Sequence, residues 1–326
     1  MPNRKPILSI KNLSQWFGDV HVLDNLNIDI YPGEIVALVG PSGCGKSTVL
    51  NCITGTLRPK RGEVVLREAD GSLVSVKGPS RSLGRVYQNY SLYPFWSARK
   101  NVAAGPMFRE SNPITRWTGH PSLKTGWRGG IWWWWKARKR HLLQADQELA
   151  RLGLGGHERK LPKQLSGGQQ QRVAIAQALI NKPRVLLMDE PFGALDEATR
   201  EREQKFLLSL YLENKRAIAA GQEPPNTVII VTHELSEAIY VGSRIIGLSQ
   251  WRDSNGDGER TEHPNGAAVL LDEPCPIFDP HDTKDKDAFI DLSHRILDEV
   301  YEPKEANMVK DLQETRKQVS RMDAES

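Results

Sequence analysis

The first forty residues alternate apolar and polar positions. Ile7, Leu8 and Ile10 are followed by Val20, Val22 and Leu23, then by Leu26, Ile28 and Ile30. This spacing predicts strands joined by turns. Pro32-Gly33 turns the chain into Glu34-Ile35-Val36-Ala37-Leu38-Val39, an apolar run of the length that a strand buried on both faces needs. A helix is expected to start within Gly40–Gly45 and to end near Gly55. Further strands are predicted at Glu63–Arg67, Gly84–Gln88, Val185–Met188, Val228–Val231 and Arg244–Leu248. Helical patterns lie between them, at about Leu142–Leu152, at Gly167–Ile180 ahead of Pro183, at Ala198–Ala220 and at Leu235–Val241. Strands alternating with helices imply an α/β fold with a parallel sheet. Trp96 to Arg140 shows no clear period. Beyond about Pro280 a helix is expected, with Phe289, Leu292, Ile296 and Val300 on one face.

Composition narrows the class. The chain has 326 residues, 44 Lys and Arg, 40 Asp and Glu, and a net charge of +4, too small a surplus to suggest a nucleic-acid binder. Three cysteines, Cys44, Cys52 and Cys275, are too few and too scattered for a disulfide framework or a Cys-rich zinc site. No apolar run approaches a bilayer span, and Met1–Ile10 lacks the apolar stretch of a signal peptide. A soluble protein of a reducing compartment is expected. The charge is uneven, however. Trp96–Arg140 holds ten Lys or Arg, one acid (Glu110) and seven of the nine Trp, which leaves 34 basic and 39 acidic residues elsewhere.

The chemistry lies in three short segments. Gly40-Pro41-Ser42-Gly43-Cys44-Gly45-Lys46-Ser47 fits G-x-x-x-x-G-K-[ST] between a predicted strand and a predicted helix. Glycines let the backbone curl so that successive N–H groups face phosphate oxygens, and the helix adds its positive end. Lys46 supplies a mobile charge for terminal phosphates, and Ser47 a hydroxyl for Mg2+. Val185–Met188 then delivers Asp189 and Glu190 to the carboxyl edge of the sheet, where ligands bind in such folds. Asp189 can hold Mg2+ through water and Glu190 can polarise an attacking water; two solvated acids after a core strand are the other reading of the pair. Leu165-Ser166-Gly167-Gly168-Gln169 begins 24 residues before Asp189 and is a second anion cradle at a helix start. One phosphate chain needs one cradle, so the second suggests a grip on another molecule's nucleotide.

With these segments in this order, the sequence resembles the nucleotide-binding subunit of ABC transporters from Ile7 to about Glu273. The resemblance implies a P-loop NTPase, a RecA-like parallel sheet core with an antiparallel β subdomain and a helical signature subdomain. It implies an ATPase domain over residues 1–275, with the helical subdomain and its Trp-rich insert at about 96–182, and a helical tail over 276–326. It makes Gly40–Ser47 the Walker A loop, Gln88 the Q-loop glutamine, Ser166–Gln169 the signature and Asp189-Glu190 the Walker B pair. Gly193–Asp196 becomes the D-loop, His233 the switch histidine and Phe17 the aromatic that stacks on adenine. ATP contacts are then expected from Phe17, Gly40, Ser42, Gly43, Cys44, Gly45, Lys46, Ser47 and Thr48. The facing copy is expected to add Ser166, Gly167, Gly168, Gln169 and Asp196. Mg2+ falls to Ser47, Gln88 and Asp189, and the catalytic roles to Glu190, His233 and Gln88. Asp189–Arg200 (DEPFGALDEATR) and Val231–Tyr240 (VTHELSEAIY) are closest to importers of the nitrate, sulfonate, taurine or bicarbonate type.

The implied assembly is a pair of ATPase copies at the cytoplasmic face of a membrane, with a separate permease and a solute-binding protein. No specific nucleic acid is expected. Export of lipid or drug, service to a lipid-transfer system, and a nucleic-acid-associated ABC ATPase are the competing functions, since the motor chemistry is shared. Chromosome-maintenance types need a long coiled coil, translation types two ATP modules and excision-repair types Cys-rich zinc modules, and of the sequence only the basic insert speaks for this class.

Two segments depart from the family pattern. Trp96-Ser97-Ala98-Arg99-Lys100 replaces its usual aliphatic and threonine residues, and the following stretch carries Trp132–Trp135 before Lys136-Ala137-Arg138-Lys139-Arg140. Four consecutive Trp cannot share one face of a helix or strand, so some face outward. Docking on the membrane subunit or its headgroup layer is one reading, a locally packed aromatic cluster the other. Asp253–Gly258 begins like a Ca2+ loop but has Pro264 where the bidentate acid belongs, so a polar surface loop is expected. Cys44, inside the phosphate loop, is expected to react with thiol reagents unless ATP protects it.

Overall fold

The computed structural model describes residues 5–110, 130–193, 195–249, 266–276 and 283–301. Trp117, Trp127, the side chains of Trp132–Trp135 and the Asp253–Gly258 loop lie outside the described residues.

Two sheets carry the fold. Strands β1 (Leu8–Phe17), β2 (Val20–Ile30), β4 (Arg61–Arg67) and β5 (Leu73–Ser75) form an antiparallel sheet in the order β2-β1-β4-β5. The second sheet has six strands. They are β3 (Ile35–Val39), β6 (Leu83–Val86), β7 (Val185–Asp189), β8 (Val228–Val231), β9 (Arg244–Leu248) and β10 (Val269–Pro274), in the order β10-β9-β3-β8-β7-β6. Only β10 runs antiparallel to its neighbour.

The parallel strands read as continuous apolar runs because both of their faces are covered. Val36 and Leu38 of β3, Val185 and Leu187 of β7, and Ile229 and Val231 of β8 face the core shared with the antiparallel sheet and helix α1 (Lys46–Ile53). Ile35, Leu186, Met188, Val228 and Ile230 face the opposite way. They pack with helices α2 (Ala98–Glu110), α3 (Gly130–Arg151), α4 (Gly167–Leu179) and α5 (Glu197–Ala219). The sheet therefore sets β3, which feeds the Gly40–Ser47 loop, and β7, which ends at Asp189, one strand apart.

A third core ties in the C-terminal segment. Ala37 and Val39 of β3 meet Ala238 and Ile239 of helix α6 (Leu235–Val241) and Leu292, Ile296 and Val300. The last three come from helix α7 (Thr283–Ile296) and the π-turn Leu297–Tyr301 that continues it. The expected apolar face of this segment is thus the one that reaches β3.

Trp96–Arg140, read without a period, contains α2 and the start of α3. Gly105 and Pro106 disguise α2. It is held instead by Ala98, Val102 and Ala103 in the core, and by the buried Asn101, whose side-chain amide donates to the carbonyls of Trp96 and Tyr93 at 2.9 and 3.2 Å.

Ile296 is fully buried beneath the strand that feeds the phosphate loop. Ile296→Ala is expected to cost about 3 kcal/mol in the main urea-unfolding transition. A tail that folded independently would leave that transition unmoved.

Candidate functional site

Val39 delivers the chain into a tight loop. A Cβ at Gly40 would stand 2.7 Å from the Leu248 carbonyl oxygen and 2.8 Å from the Cys44 sulfur, so only glycine fits. Gly45 closes the loop at φ 95° and starts α1 without a side-chain cap, leaving the helix's first N–H groups facing the loop's hollow. Lys46 lies across the loop and donates from Nζ to the carbonyl oxygens of Gly40 and Pro41 at 2.7 and 3.0 Å. Ser42, Gly43, Gly45, Lys46, Ser47 and Thr48 line a cavity of about 620 Å3 together with Val22, Glu190 and His233. A loop of backbone donors with one mobile ammonium fits a polyphosphate.

Cys44 corrects one expectation. Its side chain is fully buried beneath the loop, and burial raises its thiol's pKa against the lowering influence of Lys46. Its N–H donates to the Pro41 carbonyl at 3.2 Å, and Cys44 is not among the residues that line the cavity.

The carboxyl edge of the sheet brings four candidates together. Glu190 follows β7 in the left-handed region at φ 45°, anchored by its N–H to the Val231 carbonyl at 2.8 Å. Such a conformation costs a non-glycine residue of order 1–3 kcal/mol and survives where the surroundings over-determine it. Here they do. Gln88 donates from Nε2 to Glu190 Oε2 at 2.7 Å, and His233 Nδ1 lies 3.2 Å from Glu190 Oε1. Asp189, one residue earlier, faces Arg85 at 2.8 Å.

Behind His233, the Thr232 hydroxyl donates to Glu237 Oε2 at 2.7 Å, and Arg200 approaches Glu237 Oε1 at 3.5 Å. Arg200 belongs to α5, so this cluster ties the His233 loop to the helix that follows Asp196. Burial, reinforced by Glu234, pushes the Glu237 carboxyl up to about 7, against the Thr232 hydroxyl and Arg200.

The signature residues stand apart. Ser166 caps α4 in a capping box: its Oγ accepts from the Gln169 N–H at 3.3 Å, and Gln169 Oε1 accepts from the Ser166 N–H at 3.1 Å. Ser166 and Gly167 are exposed, whereas Gly168 is buried where α4 meets α5. A Cβ on Gly168 would stand 2.5 Å from Thr199 Cγ2. Arg172 and the buried Glu203 pair across the same contact at 2.8 Å. Asp196 caps α5, accepting from the Thr199 N–H at 3.0 Å, and that hydrogen bonding lowers its pKa. Phe17, at the end of β1, is exposed. Neither Phe17 nor Asp196 nor any signature residue lines the cavity around Lys46.

Arg85, Asn51 and Tyr301 were not candidates from sequence. Arg85 was detectable as a lone charge in an apolar strand. The Tyr301 hydroxyl accepts from the Gly40 N–H at 3.3 Å, a contact across 261 positions that no local pattern reveals.

A model of the ABC transporter family matches residues 23–193. The chain belongs to the ABC transporter family. It is an ATP-hydrolysing member, with the P-loop fold expected of one. A putative ATP-binding protein of Brucella abortus is 36% identical over 245 residues, 75% of this chain and 79% of that protein. The sulfate/thiosulfate import ATP-binding protein CysA of Synechocystis is 36% identical over 263 residues, 80% of this chain and 64% of that protein. The aliphatic sulfonates import ATP-binding protein SsuB of Bacillus cereus is 34% identical over 249 residues, 74% of this chain and 81% of that protein. A solved dimeric ATP-binding cassette, in a post-hydrolysis state with ADP and Pi, shares 29% identity at a TM-score of 0.54. The match covers 83% of this chain and all of that one. Among the described residues, no helix is long and apolar enough to cross a membrane.

Two outcomes follow from the buried groups. All three cysteines are free and buried, with the Cys52 and Cys275 thiols pushed up to about 12 by burial. A thiol-reactive chromophore at pH 8 should therefore label the native ABC ATPase negligibly and label three thiols after denaturation. Rapid, ATP-protected labelling of one thiol would contradict the burial of Cys44. Glu237 binds its proton more tightly folded than unfolded, so its contribution to stability declines as pH rises from about 4.5 to about 7. Glu237→Gln should flatten the stability–pH curve in that window, measured by denaturant midpoints.

Proposed function

We propose that two copies of this chain close head to tail around two ATP molecules. Closure and hydrolysis would drive uptake of a small oxyanion through a separate membrane subunit. The observation that carries the pairing is the separation of the two anion cradles. The Ser166–Gly167 cradle is exposed and lies outside the cavity around Lys46 of its own chain. The exposed Ser166 hydroxyl and Gly167 backbone at this helix start suit a nucleotide held by a facing copy. The solved cassette with ADP and Pi is a dimer, which supports the pairing of two copies.

In this reading, the loop from Gly40 to Thr48 grips the phosphates through its N–H groups and Lys46, and Phe17 stacks on the base. Ser166, Gly167, Gly168 and Gln169 of the facing copy close over the terminal phosphate, with Asp196 at the seam. Ser47, Gln88 and Asp189 supply hydroxyl, amide and carboxylate oxygens, a hard donor set that fits Mg2+. When bound, Mg2+ neutralises charge on the phosphate oxygens. Glu190 accepts a proton from, or orients, the attacking water. Gln88 and His233 hold its carboxylate in place, and His233 is near enough to the cavity to steady the terminal phosphate.

Import, and an oxyanion cargo such as sulfonate, nitrate or bicarbonate, are supported by the relatives named for sulfate, thiosulfate and sulfonate import. A permease, a solute-binding protein and a position at the cytoplasmic membrane face follow from the same reading.

Glu190→Gln should retain ATP binding, lose about 10²-fold or more in kcat, and elute as a dimer in ATP. Rapid hydrolysis by that variant would refute the role of Glu190. For the cargo, the membrane protein that co-purifies with the chain should support ATP-dependent uptake of a labelled oxyanion into proteoliposomes. Export, or uptake of an uncharged solute instead, would overturn the import reading.

A further inference from the structure

We propose that Arg85 is a positioning residue that fixes the Asp189 carboxylate for Mg2+ by tying it to the Walker A helix. The proposal rests on the reading of Asp189 as a metal-side residue.

Arg85 lies on β6, in register with Leu187 of β7. Its Nη2 donates to Asp189 Oδ2 at 2.8 Å, and its Nη1 to Asn51 Oδ1 at 2.6 Å. Asn51 sits five positions after Lys46 on α1, the helix that begins at the phosphate loop. The guanidinium also lies over the ring of Tyr87, 4.5 Å from its centroid, and Tyr87 is the residue before Gln88. The Arg85 and Asp189 side chains are only 12% and 17% exposed.

The geometry uses what distinguishes arginine from lysine. A planar fork presents two donors in fixed directions and so joins two partners at once, whereas an ammonium is a single point of charge. One nitrogen holds α1, and the other holds the carboxylate at the end of β7. With Oδ2 engaged by Arg85, the Asp189 carboxylate has a set rotation, which directs Oδ1 without a search among rotamers. A carboxylate that binds a cation through water gains most from such pre-orientation, because its direction and not only its charge fixes the bound water. The same side chain couples this set-point to the three segments around the nucleotide: the phosphate loop through α1, Asp189 itself, and the Gln88 segment through Tyr87. None of these contacts touches the expected position of the phosphates, so Arg85 acts through Asp189.

The test is binding of a fluorescent ATP analogue, titrated with Mg2+ and repeated in EDTA, for wild type, Arg85→Met, Arg85→Lys, Asn51→Ala and Asp189→Asn. The proposal predicts that Arg85→Met raises the Mg2+ concentration for half-maximal binding at least fivefold, while binding in EDTA stays within twofold of wild type. Arg85→Lys should fall between the two, and Asn51→Ala should give a smaller rise of about twofold. Thermal unfolding of each variant checks that the fold is intact. An unchanged or lowered Mg2+ requirement in Arg85→Met would overturn the proposal. So would an equal loss of binding in EDTA, which marks a general structural role. Asp189→Asn separates the two levels. If it leaves the Mg2+ response intact, the metal-side reading of Asp189 fails. If it abolishes the response while Arg85→Met does not alter it, the reading stands and the positioning role of Arg85 fails.

Discussion

One carboxylate organises the carboxyl edge of this sheet. Glu190 receives a hydrogen bond from Gln88 on one oxygen and meets His233 on the other. Gln88 follows β6, Glu190 follows β7 and His233 follows β8, so three loops converge on two oxygen atoms. Held this way, an acidic side chain occupies a backbone conformation that favours glycine. The cost is offset by the strand bond from its N–H to Val231 and by both side-chain partners. A loop that moves must therefore move the carboxylate, and a site that repositions Glu190 must pull on Gln88 or His233. This gives a physical route from the Gln88 segment to the Glu190 carboxylate.

The rest of the molecule keeps that convergence in register. Burial of the parallel strands on both faces fixes the heights at which β3, β7 and β8 end. The C-terminal segment adds a brace on the other side. Val300 packs against Gly247, and the Tyr301 hydroxyl takes the Gly40 N–H, so the segment touches the phosphate loop itself. The Arg85 fork does the same at the Walker B end. Both devices act from behind the loop, where they leave the nucleotide-facing surface open.

Sequence alone made the motor legible because its chemistry is local. The Gly40–Ser47 loop, the Asp189-Glu190 pair and the Ser166–Gln169 capping box each carry their geometry within a few residues. The strands were legible because a buried parallel strand is a short unbroken apolar run. Helix α2 was not, since Gly105 and Pro106 argue against a helix that Asn101 and core packing sustain. The contacts of Arg85 with Asp189 and of Tyr301 with Gly40 span 104 and 261 positions, so no local pattern reveals them. Cys44 was misjudged for a related reason. It belongs to the phosphate loop in sequence, but its side chain turns into the core beneath it.

The claim that Gln88 and His233 act through one shared carboxylate is tested most directly by a double-mutant cycle on ATPase turnover. It compares Gln88→Ala, His233→Ala and the double variant with wild type. Residues that brace the same group couple, with interaction energies of about 0.5–3 kcal/mol. The shared carboxylate predicts that the double variant turns over little more slowly than the worse single variant. Losses that multiply in the double variant would show that the separate roles of Gln88 toward Mg2+ and of His233 toward the terminal phosphate outweigh the shared carboxylate, and would contradict the claim.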